Sequence, residues 1–159
     1  MHRVRRLPIK TTVFAGLVVL LAALLIVTLS IRLASANCNQ EYRDDENINV
    51  NGQIIRVQVA ATTAEQDRGL GGKSCISDNQ AMLFKPQSSG TSVWMKDMNF
   101  PIDIVWINSK HEVVQIDSNI SPKTYPKSFA SAQPASYVME LKAGRASSLG
   151  LGAGSLINL

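Results

Sequence analysis

The chain has 159 residues, 45% of them hydrophobic, with two cysteines and a formal charge of +4, which allows one ordinary domain. The charge is uneven: residues 1–36 carry Arg3, Arg5, Arg6, Lys10 and Arg32 and no acid, whereas the remainder carries eleven basic and twelve acidic residues. The basicity therefore belongs to a tail, which removes the main support for a nucleic-acid-binding body.

Residues 1–10, MHRVRRLPIK, form a cationic segment. Thr11 to Ile31 follow without one charged side chain. About 20 residues at a rise of ~1.5 Å span a hydrocarbon core of ~30 Å. A soluble helix of this length would show a polar face, and this one shows none. Residues 11–31 are thus expected to be a transmembrane helix or signal segment. The basic flank is expected to stay in the cytoplasm, which puts the body outside. Ala34-Ser35-Ala36 is a small-residue site at which a peptidase could release a secreted body. The apolar run is longer than the ~7–15 residues of a usual signal peptide, which favours a retained anchor. Asn37 before Cys38 argues against a lipidated cysteine. Cys38 and Cys75 both fall outside the membrane, where a disulfide between them is permitted; two unrelated thiols remain the alternative. No C-x-x-C is present, which argues against thioredoxin-like chemistry.

Residues 32–52 are mostly polar and acidic beyond Asn37 and read as a linker, with the β domain beginning at residue 53. Gln53 to Ala60 alternates as a strand, with Ile55, Val57 and Val59 on one face and Arg56 and Gln58 on the other. Thr62 and Glu65 make a capping box, and Gly69 can end a short helix. Further short apolar runs follow at residues 81–84, 91–95, 102–107, 112–116, 136–141 and 155–159, separated by turn residues. Residues 107–114 read as a tight hairpin. Many short strands with one short helix predict a mainly β fold, a small sandwich or jelly-roll-like distorted barrel.

The stretch Arg68 to Cys75, RGLGGKSC, ends like a phosphate-binding loop. The pattern G-x-x-x-x-G-K-[ST] would need glycine at position 67, which is Asp67. The order is also reversed, because the glycines follow the helix instead of preceding one. No nucleotide site is expected. Gly69, Gly71 and Gly72 read as a helix end and a turn.

The blocks around this stretch point elsewhere. Glu65, Arg68, Gly69 and Leu70, then Met82, Leu83 and Phe84, then Trp94, Met95, Lys96, Pro101 and Asp103, then Glu140, Ala143 and Gly144 occur in the order found in the domain of unknown function 192 family. Residues 53–159 resemble that family. The resemblance implies a mostly β fold, a sandwich or jelly-roll-like barrel, and implies no particular activity. The chain departs from the family pattern at Ala81, Val93, Asp97 and Ser155; Asp97 changes the charge beside Lys96.

Charged residues inside strands need partners or a function, because unpaired burial is costly. Asp103 and Glu140 occupy such positions. If Lys96, Asp103 and Glu140 converge near Trp94, with Asp97 beside them, they form a polar pocket with an aromatic wall; otherwise they are a solvated face or an ion pair. Glu65, Arg68, Gly69, Leu70, Met82, Phe84, Pro101 and Gly144 are expected to be structural. The body's one histidine, His111, lies in a predicted turn, a poor base for a serine triad. Zinc ligands are too few, and the acidic run at residues 42–49 lacks calcium-loop spacing. No cofactor or metal is expected. The first reading is an extracytoplasmic binding module for a small molecule, a glycan or an envelope protein. The second is an envelope assembly factor without a pocket. A hydrolase using Asp103 and Glu140 as acid and base comes third, and would need the two carboxylates about 5–10 Å apart in a cleft.

Overall fold

Alternation and turn chemistry fix most of the elements seen in a computed structural model, which describes residues 17–28, 38, 42–85 and 91–159. The chain divides into two units, Met1–Asn37 and Cys38–Leu159. In the first, residues 17–28 are helical (α1) and their large apolar side chains are exposed. Among the described residues no helix is long and apolar enough to cross a membrane. The rest of the expected span, the basic segment 1–10 and the Ala34-Ser35-Ala36 site lie outside the described residues.

The second unit is mainly β. Its strands are β1 (Glu46–Val50), β2 (Gln53–Ala60), β3 (Gln80–Phe84), β4 (Ser92–Trp94), β5 (Ile102–Ile107), β6 (Val113–Ile120), β7 (Ser128–Ala130) and β8 (Tyr137–Lys142). Two short helices, α2 (Thr63–Arg68) and α3 (Arg145–Ser148), and a 3-10 turn at Pro122–Thr124 complete it. Six strands form one sheet in the order β1-β2-β3-β8-β5-β6, and β4 pairs with β7 in a separate ribbon. Among the described residues only β2 and β3 pair in parallel, with the crossover carrying α2 and the glycine turn.

The sheet has a core on each face. On one face Ile55, Val57, Leu83, Val105 and Met139 pack with Ala146, Leu149 and Ile157 from α3 and the C-terminal segment. On the other, Met82, Phe84, Ile102, Ile104 and Trp106 pack under Tyr42, Leu70, Ile76, Val93 and Met95. Every residue of β5 is buried. A strand covered on both faces reads as a continuous apolar run, as IDIVWI does apart from Asp103. What covers the second face is a ribbon, α2 and loops, where a sandwich would place a second full sheet.

Three expectations change. The polar stretch 32–52 is not linker to its end, because it supplies β1. Ile48 and Val50 alternate inward, while Asp44, Asp45 and Glu46 pair with Arg56, Arg43 and Lys85. Asn51 and Gly52, with φ of 50° and 84°, turn β1 into β2; that two-residue geometry is what an Asn-Gly hairpin provides. Second, residues 155–159 make one isolated bridge, Glu112 with Leu156, and no strand. Third, a second short helix, α3, follows β8.

Candidate functional site

The position of each candidate side chain follows from the register of β8 between its neighbours. Glu140 stands opposite Met82 on β3 and Ile104 on β5. Directly opposed residues share a face, so the Glu140 carboxyl lies in an apolar row on the α2 side. Asp103 stands opposite Leu141 and therefore projects to the other face. The expected convergence of Asp103 with Glu140 does not occur, and the carboxylate pair of the hydrolase reading is absent. Asp103 is fully buried and satisfied by backbone. Its Oδ1 accepts from the Asn119 amide (2.8 Å) and the Gly144 amide (3.0 Å), and its Oδ2 from the Ala146 amide (2.9 Å). It ties the end of β6 to the start of α3. Gly144, left-handed at φ 79°, makes the turn that presents those amides.

Glu140 instead lines a pocket of about 440 Å³ together with Asp67, Arg68, Gly69, Phe84 and Trp94. The capping box places the pocket wall. Thr62 Oγ1 accepts from the Glu65 amide and Glu65 Oε2 accepts from the Thr62 amide, which fixes the start of α2. Gly69 ends it with φ 53° and ψ −133°, a conformation that only glycine adopts easily. A Cβ at Gly69 would lie 3.6 Å from Glu140 Oε2 and 3.4 Å from Phe84 Cζ, so the bare backbone roofs the carboxyl closely. Leu70 is buried behind it. At Gly71 a Cβ would meet the Arg68 carbonyl oxygen at 2.8 Å and the Lys96 carbonyl oxygen at 3.0 Å. The Gly72 amide donates to the Asp97 carbonyl oxygen (2.8 Å). The glycine turn is thus clamped onto the residues after β4.

The electrostatics centre on burial without a counter-charge. Burial raises the Glu140 carboxyl to a pKa of about 8. Tyr42, buried on the same face, is pushed up by burial first and then by the charges of Glu140 and Asp44. Glu140 Oε2, the Tyr42 hydroxyl and Gln58 Oε1 are buried with no hydrogen-bond partner among the described residues. Gln58, Met82 and Glu140 form one row across β2, β3 and β8. At the start of α2, Glu65 is the opposite case: hydrogen bonds from Arg43, then from the Thr62 and Ala61 amides, hold it down to about 2.

Of the other residues singled out from the sequence, Trp94 lines the pocket and is 45% exposed. Lys96 is exposed, with its Nζ 5.7 Å from the centre of the Trp94 ring, and the Tyr125 ring meets Trp94 edge-on at 6.4 Å. Asp97, at φ 57°, is an exposed turn residue. Met82 and Phe84 are core. Pro101 offers its carbonyl to the Ala143 amide. Cys38 and Cys75 are joined in a disulfide. Sequence reading missed Tyr42, Gln58 and Asp67. Tyr42 sits in an acidic stretch with no periodicity, and the polar alternation of β2 conceals that the glycine turn covers its Gln58 face. Among the described residues no group of three or more His, Cys, Asp or Glu side chains could hold a metal ion.

A family model for DUF192, described as "Uncharacterized ACR", matches residues 46–159. A crystal structure of a protein of unknown function from Novosphingobium aromaticivorans is 26% identical, with a TM-score of 0.64 over 71% of this chain and 82% of that one. A protein from Sinorhizobium meliloti, provisionally described as a transcription regulator, is also 26% identical, with a TM-score of 0.63 over 70% of this chain and 88% of that one. No curated protein matches the chain.

Proposed function

The chain belongs to the domain of unknown function 192 family, and we propose that its β domain is a binding module for a small ligand, held outside the cytoplasm by its apolar tail. The observation that carries this reading is the Glu140 carboxyl. The residue is 3% exposed, its Oε2 lacks a partner among the described residues, and it lines a pocket walled by Trp94. Buried polar atoms are nearly always satisfied, and an unsatisfied one needs an explanation. A carboxyl kept in that state at the base of a concave site is well suited to meet a ligand's donor. Asp103, by contrast, has its bonds met by backbone, so its burial is explained by folding alone.

The hydrolase alternative, which needs Asp103 and Glu140 together, is not carried forward, since the two project to opposite faces of the sheet. The assembly-factor alternative gives no reason for an unpaired Glu140. The provisional description of the S. meliloti protein is not carried over either, because the body holds eleven basic and twelve acidic residues and lacks the basic excess that duplex binding draws on. The tail reading rests on the uncharged run Thr11 to Ile31 beside a cationic flank. The disulfide between Cys38 and Cys75 suits an oxidising compartment.

A fragment screen by protein-observed NMR on the full chain in detergent micelles tests the pocket. Fragments that bind as proposed shift the Trp94 indole resonance and lose that shift in Glu140→Gln. A screen whose binders all leave Trp94 unmoved, in a folded protein, would end the reading.

A further inference from the structure

We infer that the pocket takes its ligand through a protonated amine seated on the Glu140 carboxylate, with the ligand's apolar body against Trp94 and Phe84. This rests on the binding-module reading and adds the chemical class of the ligand. The argument begins with what surrounds the carboxyl. Its cross-strand neighbours, Met82 and Ile104, are apolar, and among the described residues no cation pairs with it. The unpartnered oxygen therefore needs a hydrogen-bonding partner brought from outside.

Three kinds of ligand could supply one: an anion that binds as its acid, a neutral hydroxyl or amide, or an ammonium group. An anion could accept one hydrogen bond from the protonated carboxyl, but it finds no opposite charge there and is repelled once Glu140 ionises. A neutral donor gains one ordinary hydrogen bond. An ammonium gains a charge-assisted bond, roughly twice as strong, in a site where low dielectric strengthens it. Aromatic faces favour a cation as well, and the pocket contains Trp94 and Phe84.

The other charged groups around the site do not reverse this preference. From α2, Asp67 and Arg68 line the same pocket with opposite signs. Tyr42, packed on the same face, is held neutral by burial. The residues that β3 and β5 place on this face, Met82, Phe84, Ile102, Ile104 and Trp106, carry no charge. Lys96, beyond β4, lies over the Trp94 ring and is not part of the pocket lining.

The proton balance gives the inference a signature. Burial holds the empty-pocket carboxyl protonated at neutral pH. When an ammonium enters, the Glu140 O–H bond breaks and its proton leaves to buffer, while the ligand keeps its own protons. Affinity for an amine should then rise with pH up to about 8 and level off above it, up to tenfold per unit below that point.

Three probes with one ring separate the cases: benzylamine, benzyl alcohol and benzoate. Each is titrated calorimetrically into the full chain in micelles, at pH 6, 7 and 8, in two buffers of different ionisation enthalpy. The expected result is benzylamine at least tenfold tighter than benzyl alcohol at pH 8, tightening as pH rises, with proton release. Glu140→Gln should erase the tenfold preference, and Trp94→Ala, at an exposed site, should weaken both probes. Equal binding of benzylamine and benzyl alcohol, both sensitive to Trp94→Ala, would overturn the amine inference and leave the binding module standing. Benzoate as the tightest probe would overturn it in favour of Arg68. Absence of binding by all three would also overturn it, while the wider fragment screen separately decides the module.

Discussion

Two buried carboxyls a short way apart in the sheet behave in opposite ways, and the difference lies in what each one meets. Asp103 meets three backbone amides at 2.8, 3.0 and 2.9 Å. Removing it leaves those donors buried and unpaired, the costly side of hydrogen-bond energetics. Asp103→Ala should therefore lower unfolding stability by about 2–4 kcal/mol in urea titration, with no change in the Trp94 indole resonance of the folded protein. Glu140 meets apolar side chains, and burial lifts its folded pKa to about 8, above the ordinary glutamate value of 4.5. Between those values the native state keeps a proton that the unfolded chain gives up. Stability from this group therefore falls as pH rises through that window and is flat below it. Each pH unit corresponds to about 1.36 kcal/mol at full effect, so the total reaches on the order of a few kcal/mol. Glu140→Gln should remove this slope: the difference between wild-type and variant stability, measured by denaturant titration from pH 4 to 9, should move steadily in favour of the variant as pH rises. A difference that stays constant across the window would refute the burial argument. Sequence alone singled out both carboxyls, because a charge inside an apolar strand is conspicuous. It could not tell that they point apart, since the face each occupies depends on the register of β5 against β8, and those strands are distant in sequence.

Among the elements, the segment from α2 through the glycine turn most directly controls the site. The capping box and the helix end at Gly69 were legible because their signals are local: a threonine with glutamate three residues on, and a glycine after the last polar turn. β1 is less conspicuous in the sequence, although its signal is also local. Asn51-Gly52 beside the alternating Ile48 and Val50 is a hairpin signature, hidden by the acids before it, whose charges are used in pairs with Arg56, Arg43 and Lys85. The coverage of Gln58 was out of reach, since it depends on the crossover laying the turn over β2. Gly69→Ala tests how closely that turn governs the pocket. The backbone there has φ 53° and ψ −133°, and holding a non-glycine residue in such a region costs on the order of 1–3 kcal/mol. The added methyl would also stand against Phe84 and both oxygens of Glu140. The variant should unfold at lower urea and bind benzylamine at least several-fold more weakly, whereas Gly72→Ala, with nothing within 4 Å of its Cβ, should carry the backbone cost without the loss of affinity.

For the molecule as a whole, the disulfide is the point where folding and location can be tested together. It joins Cys38, ahead of β1, to Cys75 in the crossover, across a sequence separation of 37. That crossover carries the glycine turn which roofs Glu140, so the bond fastens the start of the domain to the segment that forms the site. In the chain-entropy account, closing a loop of this length stabilises by about 3–4 kcal/mol. Replacing both cysteines by serine should lower the unfolding free energy by about that amount and leave the six-stranded sheet intact, with the largest rise in hydrogen exchange between residues 69 and 80. The same bond reports on compartment. A domain held outside the cytoplasm, as proposed from the uncharged run Thr11 to Ile31, keeps its cysteines oxidised. Alkylation of intact cells with a membrane-permeant maleimide should therefore leave the native chain unlabelled until a reductant is added. Deleting residues 1–36 should reverse this, because the body would then remain in the reducing cytoplasm and label at both cysteines. Full labelling of the native chain without reductant would contradict an extracytoplasmic location, and the pocket would then have to be probed with cytoplasmic amines.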